Sequence, residues 1–474
     1  VKRTRFEMGL IFRSPAYVVL IVLGFAFAIA NLAFAGEVYG APTLPVTRAV
    51  IGTLEGAFGL VTIVIAIYYA GELVWRDRDR KIHEIVDASS APDWTFLVPK
   101  TVALALVLVS TLLVAVVAGV LMQTIKGYTD YEFGKYLYWY VWRQTVSMML
   151  LAALAIFVQA LSPNKFIGWA LMVVYIIASL VMSNLGFDHY LYNYGQGPGV
   201  PLSDINGLGD FAGFEATTNA YWGAFAVLLL LAAFALWRRG PEARFKPRLA
   251  RAPRRLRGVG GVIGGVALLA FVGLGVFIYV NTNVWNVYLS QDAREERMAN
   301  AEKALLAFEN TPQPAVADVK LVLDLRPHEP RLTTVGSYVV ENRTDAPIPE
   351  IHLRWIEDLE VRKLEVEGAR IAREWPEFDY RIYRFDRPLA PGERRTIRFE
   401  TVRTQKGFRN GGNITEIVDN GTFINNGGFA PGVGMNRGGL LTDRSKRRKF
   451  GLPADSWPTA ELLALKLKVI EHDS

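Results

Sequence analysis

Residues suited to metal or nucleophilic catalysis are sparse in this sequence. It contains five histidines and no cysteine, so no thiolate can bind a metal or attack a substrate. The nearest approach to the zinc-binding pattern His-Glu-x-x-His is the run HEIVD at 83–87, which ends in aspartate where the second histidine would stand. The remaining histidines have no ligand spacing: His189, His328, His352 and His472. We therefore assign no catalytic, cofactor-binding or metal-binding residue to this chain.

The sequence also contains no nucleotide-binding motif of the P-loop type. The sequence contains no Gly-x-x-x-x-Gly-Lys-Ser/Thr loop to cradle phosphates, so any ATP would have to bind to a separate subunit. The formal charge of +7 could indicate nucleic acid, but the basic surplus lies in loops beside apolar runs. In that position it orients a membrane protein and can contact anionic lipid. We therefore expect a lipid bilayer, and no nucleic acid, as a partner.

The elements that would position functional residues are apolar runs of membrane-spanning length. The chain is 51% hydrophobic, and the excess is concentrated before residue 281. A run of about 20 apolar residues is long enough to cross a bilayer as a helix. The sequence predicts seven such spans, at 16–34, 49–75, 101–122, 146–161, 166–182, 221–237 and 259–280.

Basic residues set the expected orientation of these spans. Residues 238–257 carry nine lysines and arginines against the single acid Glu242, so the positive-inside rule keeps them in the cytoplasm. The span at 259–280 then carries the chain outward, and everything from Asn281 onward is expected outside the cytoplasm. The amino terminus and residues 76–100 are expected inside it. The external loop at 123–143 holds seven Tyr and Trp residues, which predict an aromatic belt in the membrane interface.

The predicted cytoplasmic loop has the pattern of a short amphipathic helix. Alternating charges open it, and Ile82, Ile85 and Val86 share one face by the 3.6-residue period. Such a helix could lie on lipid or dock into a groove of a cytoplasmic partner, and the residues alone leave both possibilities open. The candidate partner-binding residues are Arg76, Arg78, Arg80, Ile82, Ile85 and Val86.

Three sequence runs carry a family resemblance in this half of the chain. They are YYAGELVWRDRDRKIHEIVDASSAPDW at 68–94, ALSPNKFIGWALMVVY at 160–175 and VPLSDINGLG at 200–209. Residues 1–257 resemble the permease of bacterial ABC exporters of the type-2 class, in the subgroup fused to an aminopeptidase. The resemblance implies a six-span permease half whose loop at 76–100 holds a coupling helix. It also implies two partners, a separate ABC ATPase subunit that binds ATP and another permease half.

Beyond the seventh span, at 258–280, the hydrophobic period changes. Residues 281–315 are predicted to form a helical stalk that is closed by Pro312 and Pro314. Apolar and polar residues then alternate at 319–325, 351–355 and 397–399, with turn-forming stretches between them. This pattern predicts antiparallel strands. The expected fold class is an α-helical multi-span membrane domain of about seven transmembrane helices, followed by an all-β sandwich or saddle domain.

A second resemblance covers residues 316–403. The runs VKLVLDL at 319–325, GSYVVENRTDAPIPEIHLR at 336–354, LEVEGA at 364–369 and PLAPGERRTIRFE at 388–400 resemble the amino-terminal β-domain of zinc aminopeptidases of the aminopeptidase N type. In that family the domain flanks a catalytic domain, which would hold the zinc. The Gly- and Asn-rich residues 404–474 are expected to form an extended segment leading to that domain. The basic run at 444–449 is expected to be a solvated face.

Together these features predict a membrane-spanning permease segment of an ATP-driven ABC exporter that carries an extracytoplasmic β-domain of a fused zinc aminopeptidase. Its expected location is the bacterial inner membrane, with a cytoplasmic amino terminus and an extracytoplasmic carboxyl-terminal domain. Two alternatives stay open: a membrane-anchored aminopeptidase whose spans only tether it, and a non-transporting envelope scaffold or sensor. Because the sequence starts at Val1 and holds no catalytic motif, we expect it to be a fragment with a permease half upstream and a His-Glu-x-x-His motif downstream.

Overall fold

The fold divides into two compact units. The computed structural model describes residues 2–34, 37–38, 41–42, 44–87, 94–205, 207–209, 211–238, 245–411, 416–419 and 421–456, without the side chains of 37–38, 41–42, 86–87 and 183–184. The helical unit comprises Val1–Ser183, His189–Val280 and Asn410–Gly412. The β unit comprises Asn184–Asp188, Asn281–Arg409 and Asn413–Ser474.

Seven helices of the described chain are long and apolar enough to cross a bilayer, which makes this a multi-pass membrane protein by length and composition. We number them as the first to the seventh span. They are Pro15–Phe34, Thr47–Asp79, Trp94–Ile125, Phe133–Leu161, Lys165–Met182, Phe211–Ala235 and Val259–Val284. The predicted fold class is confirmed: long apolar helices come first, and an antiparallel β domain follows them.

Several helices extend further than their apolar runs. The second span continues to Asp79 and the third begins at Trp94, so charged residues that the sequence placed in a loop are helical. The second span has 33 residues, which corresponds to about 50 Å at 1.5 Å per residue and exceeds a hydrocarbon core of about 30 Å. The ends of such helices project beyond the apolar layer, where charged side chains can pair or meet water.

The aromatic loop expected at 123–143 is largely helical, which corrects that prediction. The fourth span begins at Phe133, and its stretch Tyr136–Trp142 is a π-helix. Tyr136, Trp139 and Tyr140 are buried because they fall on the face that packs against the second and third spans. Neighbouring Tyr138 and Trp142 are 53% and 60% exposed, as an interfacial belt requires.

Shorter elements complete the helical unit. The amino-terminal helix, Lys2–Phe12, precedes the first span, and the basic helix, Phe245–Arg255, precedes the seventh. A five-residue helix, His83–Asp87, lies between the second and third spans. Two strands of two residues each, Glu37–Val38 and Ala41–Pro42, pair in an antiparallel hairpin.

The β unit contains two four-stranded antiparallel sheets. Its strands are β1 Ala315–Arg326, β2 Arg331–Glu341, β3 Ile348–Arg354, β4 Leu359–Val366, β5 Ala369–Trp375, β6 Tyr380–Leu389, β7 Arg394–Thr404 and β8 Gly432–Val433. One sheet has the order β1-β2-β7-β4 and the other β8-β3-β6-β5. A separate two-residue pair joins Ile417–Val418 to Gly421–Thr422.

The core of the β unit contains inward-facing residues from both sheets. Val340 and Ile397 from one sheet share a cluster with Ile351 and Leu353 from the other. All four side chains are fully buried at 0% exposure. Along β2 the burial alternates with period two, because one face of that strand meets the core. The predicted sandwich is thus present, with two sheets enclosing one hydrophobic core.

The predicted stalk is a helix, Gln291–Leu305, that packs within the β unit. Leu305 belongs to a cluster with Tyr380 and Ile382 of β6, and Arg297 forms an ion pair with Glu357 at 2.8 Å. The helix is N-capped by the hydroxyl of Ser290, which accepts from the amide of Ala293. This helix is therefore an integral part of the β unit.

The basic run at 444–449 forms a short helix: four of its six residues are exposed, as expected of a solvated face, and Arg447 is buried against the stalk helix. Arg447 is 1% exposed and donates to both carboxylate oxygens of Glu302, at 2.8 and 2.7 Å. It also donates to the carbonyl oxygens of Leu441 and Pro453, at 2.6 and 2.7 Å. Lys449 forms an ion pair with Asp292 of the same helix at 2.8 Å. We call this set of contacts the stalk clamp.

Candidate partner-docking site

The candidate docking residues lie where the second span ends, and we call this end of the helical unit the loop end. The amide of Arg80 donates to the carbonyl of Arg76 at 3.0 Å, and the amide of Ile82 donates to that of Asp77 at 3.0 Å. Lys81 has a φ of 56°, the left-handed conformation that commonly ends a helix. The chain turns sharply there, and the short helix His83–Asp87 begins.

Two of the six candidate residues face the interior of the helical unit. The Arg76 side chain is 12% exposed and forms an ion pair with Glu7 of the amino-terminal helix. The guanidinium of Arg78 donates to the carbonyl oxygen of Arg238 at 3.1 Å. These arginines hold the loop end together, because their contacts join elements that are distant in sequence.

The other candidates lie at or beyond the helix end. Arg80 is exposed, and Ile82 and Ile85 are 40% and 78% exposed. Val86 lies within the short helix, but its side chain is outside the described part of the chain. An isoleucine with more than three quarters of its surface exposed offers an apolar surface for contact. Among the candidates whose side chains the structure describes, Arg80, Ile82 and Ile85 are the exposed ones.

Behind this surface lies a network of buried charges that sequence analysis did not predict. Lys100 of the third span is 3% exposed and donates to Asp77 at 3.0 Å and to the carbonyl of Leu73 at 2.6 Å. Glu7, with 1% side-chain exposure, pairs with Arg76 and lies 3.7 Å from Arg3. Buried charges persist when they are paired and hydrogen-bonded, so these contacts lock the amino-terminal helix and two spans together.

The fifth span is joined to the second at the same end. Lys165 forms ion pairs with Glu72 at 2.9 Å and with Asp79 at 2.7 Å. Close packing supports them: a side chain at Gly168 would overlap Gln159, and one at Gly71 would overlap the ring of Trp169. These glycines allow the helices to approach as small residues do in membrane proteins.

The basic helix binds the carboxyl ends of two spans. Arg248 is buried and donates to the carbonyl oxygens of Leu236, after the sixth span, and of Ala160, in the fourth, the latter at 2.6 Å. Burial, together with nearby Arg238, lowers the pKa of Arg248 to about 10. Arg255 donates to the carbonyl of Trp237 at 2.7 Å. Cations at helix carboxyl ends satisfy free carbonyls and oppose the helix dipole, so these arginines have a packing role in addition to any effect on orientation.

The sequence shows the charged residues of this network but not their pairing. Lys100 stands directly before the apolar run at 101–122, and Asp77 is flanked by arginines, so both read as loop residues. Their pairing depends on the third span starting at Trp94, which places Lys100 nearly two turns inside the helix. Only the helix bounds therefore distinguish a buried pair from a solvated loop.

The described residues do not form a metal centre. Among them, no group of three or more His, Cys, Asp or Glu side chains is placed to hold an ion. His352 lies within the β unit, where it meets the Tyr380 hydroxyl at 2.7 Å and a Glu350 carboxylate oxygen at 3.2 Å. Its side chain is 0% exposed, so these contacts support the fold and offer no open ligand position. The zinc that the aminopeptidase resemblance implies is expected in a separate catalytic domain, and these contacts of His352 do not bear on it.

Comparison with known proteins gives no family assignment. No protein-family model matches the chain, and no curated protein matches it.

Proposed function

We propose that the helical unit is one permease half of an ATP-driven ABC exporter, and that the helix His83–Asp87 receives the motion of a separate ATPase subunit. The resemblance of residues 1–257 to type-2 permeases supports this proposal. The observation that carries it is the 78% exposed Ile85 on a short helix between two long spans that are locked together by buried charges. An exposed apolar residue on a short helix suits insertion into a groove of a partner.

The charge network provides a mechanical reason for coupling. The Asp77–Lys100 ion pair joins the second and third spans near the two ends that flank the short helix in the sequence. A displacement of His83–Asp87 would therefore move both spans together. Through Glu7 and Lys165 the same displacement would reach the amino-terminal helix and the fifth span. ATP bound to the partner would supply the energy, and this chain would convert it into a change between inward and outward states.

We further propose that the β unit lies outside the cytoplasm as part of a fused aminopeptidase. The resemblance of residues 316–403 to the amino-terminal domain of that family supports this. The two-sheet sandwich is compatible with such a domain. Any zinc site would belong to a catalytic domain outside the described residues, and no peptidase step is assigned to this chain. The proposed location is the bacterial inner membrane, with the amino terminus in the cytoplasm.

The absence of cysteine from the sequence allows a direct test of this orientation. Single cysteines at Glu84, in the short helix, and at Asp345, in the β unit, both replace exposed residues. In sealed right-side-out spheroplasts, a membrane-impermeant maleimide should label Asp345→Cys at once and Glu84→Cys only after lysis. Labelling in the opposite order would reject the proposed orientation.

Docking is tested by copurification with the ATPase subunit in co-expressing cells. Ile82→Asp together with Ile85→Asp should abolish association, because two carboxylates would have to be desolvated at an apolar contact. Ile205→Asp changes an isoleucine that is 84% exposed in another loop and should leave association intact. Equal recovery of the ATPase with the double variant would count against the docking role. Retained peptidase activity of the full-length protein in cells that lack the ATPase would favour the tether alternative.

A further inference from the structure

A cavity of about 390 Å³ opens between the amino-terminal helix and the second span. Leu10, Ile11 and Leu73 give it an apolar wall, and Arg13 and Arg80 are among its polar lining residues. It lies wholly within the helical unit. Of the proposed docking residues only Arg80 lines it, and Ile82 and Ile85 do not.

The cavity lies at the level where apolar spans give way to water. Arg13 stands between the amino-terminal helix, which ends at Phe12, and the first span, which begins at Pro15. Arg80 directly follows the second span, which ends at Asp79. Since consecutive spans run in opposite directions, the start of the first and the end of the second lie at the same membrane face. Lipid headgroups occupy that level.

The charges that line the cavity leave a positive surplus. Arg76 is neutralised by Glu7, and the carboxylates of Glu72 and Asp79 both pair with Lys165. Arg13 and Arg80 are exposed, and neither forms an ion pair with any residue that the structure describes. Because Glu72 and Asp79 share one ammonium, the arginines of the cavity and Lys165 exceed the carboxylates by one charge. This positive surplus beside an apolar wall suits a group that is both anionic and attached to hydrocarbon.

Aromatic side chains hold the wall of the cavity in place. The hydroxyl of Tyr69 donates to Ser14 at 3.1 Å, which ties the second span to the link that carries Arg13. The ring of Tyr68 stacks on that of Trp169 with their centroids 5.1 Å apart. The Tyr69–Ser14 hydrogen bond orders the chain beside Arg13 before any ligand binds, so less conformational entropy is lost on binding.

We propose that this cavity binds the phosphate headgroup of an acidic phospholipid. Arg13 and Arg80 contact the phosphate oxygens, because a planar guanidinium donates paired hydrogen bonds to phosphate. Leu10, Ile11 and Leu73 contact the glycerol and the first methylenes of the lipid. A phosphatidylcholine headgroup is disfavoured, because it brings its own cation to a site that already has a positive surplus.

The test measures lipid binding to the detergent-purified full chain by native mass spectrometry. Wild-type protein titrated with phosphatidylglycerol should retain one tightly bound lipid that phosphatidylcholine does not replace. Arg13→Ala with Arg80→Ala should weaken that binding by about thirtyfold, since each basic residue near an anionic surface contributes about 1 kcal/mol and about 1.4 kcal/mol is a factor of ten. Arg5→Ala with Lys81→Ala is the matched control: it removes two exposed cations from the same two segments, outside the cavity lining, and should leave binding unchanged.

Two further arms make the result decisive. Glycerol phosphate at millimolar concentration should not displace the lipid; full displacement would assign the site to a soluble phosphate compound and overturn the lipid proposal. Equal phosphatidylglycerol binding by wild type and the Arg13/Arg80 variant, or equal loss in the control, would also overturn it. The melting temperatures of all variants should agree, because the substituted side chains are exposed. Arg13→Lys with Arg80→Lys should restore part of the affinity, since lysine keeps the positive charge that binds the phosphate.

Discussion

The helical unit and the β unit use hydrophobic side chains in different ways. Only 11% of the residues in the apolar stretches of the fifth and seventh spans are buried inside the chain, although these stretches are almost entirely apolar. In the β unit, by contrast, burial alternates along β2, and the core is confined to the space between the sheets. Apolarity therefore selects the inner face of a strand but says little about which face of a span meets another span.

Polar and small residues add specific contacts between the spans of the helical unit. Ion pairs of Asp77 with Lys100 and of Lys165 with Glu72 join spans, and Gly71 and Gly168 allow close approach. Lipid is as apolar as leucine, so hydrophobic burial gives little drive for two spans to associate, whereas a polar pair does. Equivalent substitutions in the two units should therefore change stability by unequal amounts.

The largest effect is expected from breaking the stalk clamp in the β unit. Glu302→Ala leaves Arg447 buried without its carboxylate and should cost about 3–5 kcal/mol of local stability. Hydrogen exchange of stalk-helix peptides in the full chain measures it. Glu296→Ala, an exposed acid on the same helix, should change exchange little. Replacing both Glu302 and Arg447 by methionine should recover most of the loss; no recovery would show that the clamp's other hydrogen bonds dominate.

A matched pair of leucines tests the difference in apolar burial. Leu353→Ala removes a 0% exposed side chain from the β core and should destabilise that unit by about 2–5 kcal/mol. Leu180→Ala removes one that is 69% exposed on the fifth span and should change stability by less than about 0.5 kcal/mol. Thermal unfolding in detergent, followed by exchange of peptides from each unit, compares them. A large loss for Leu180→Ala would mean that this face of the span packs against something other than lipid.

A buried ion pair in the helical unit should be worth less than the stalk clamp. Lys100→Met leaves Asp77 without its ammonium partner, yet we expect a loss of only about 1–2 kcal/mol, because separated spans in lipid find other polar partners. Exchange at the carboxyl end of the second span is the measurement. Lys81→Met, which removes an exposed cation just beyond that span, is the control. A loss as large as that of Glu302→Ala would erase the contrast between the units.

The smallest effect concerns pH. Burial lowers the pKa of His352 below 6.5, and Glu350 opposes this shift only in part. The folded β unit thus favours neutral imidazole, so the unfolded chain binds more protons in this range and stability falls as pH drops from about 6.5 to the lowered folded pKa. His352→Gln should flatten the pH dependence of unfolding in that window, whereas His328→Gln, at a residue 87% exposed, should not. Identical pH profiles for all three proteins would contradict a role for His352.

The spans and the existence of the β domain could be read from the sequence because both depend on local periodicity. Only part of the candidate docking site could be predicted from the sequence. Ile82 and Ile85 are exposed as expected, but Arg76 and Arg78 turn inward because the second span extends to Asp79 and meets Glu7 and the residue at 238. A charged residue beside a span looks the same in sequence whether it meets water or a partner more than sixty positions away.

By itself, the sequence determined where seven apolar helices lie and where the period changes to that of strands, since runs of about 20 apolar residues and strict alternation each allow few other structures. Only the tertiary structure decided which of those patterns is buried. The alternating residues 319–325 fall on β1, an edge strand whose Val319 and Leu323 are each 49% exposed, whereas Ile351 and Leu353 on β3 are enclosed. Burial depends on which neighbours the chain brings from far away, and no local pattern contains that information.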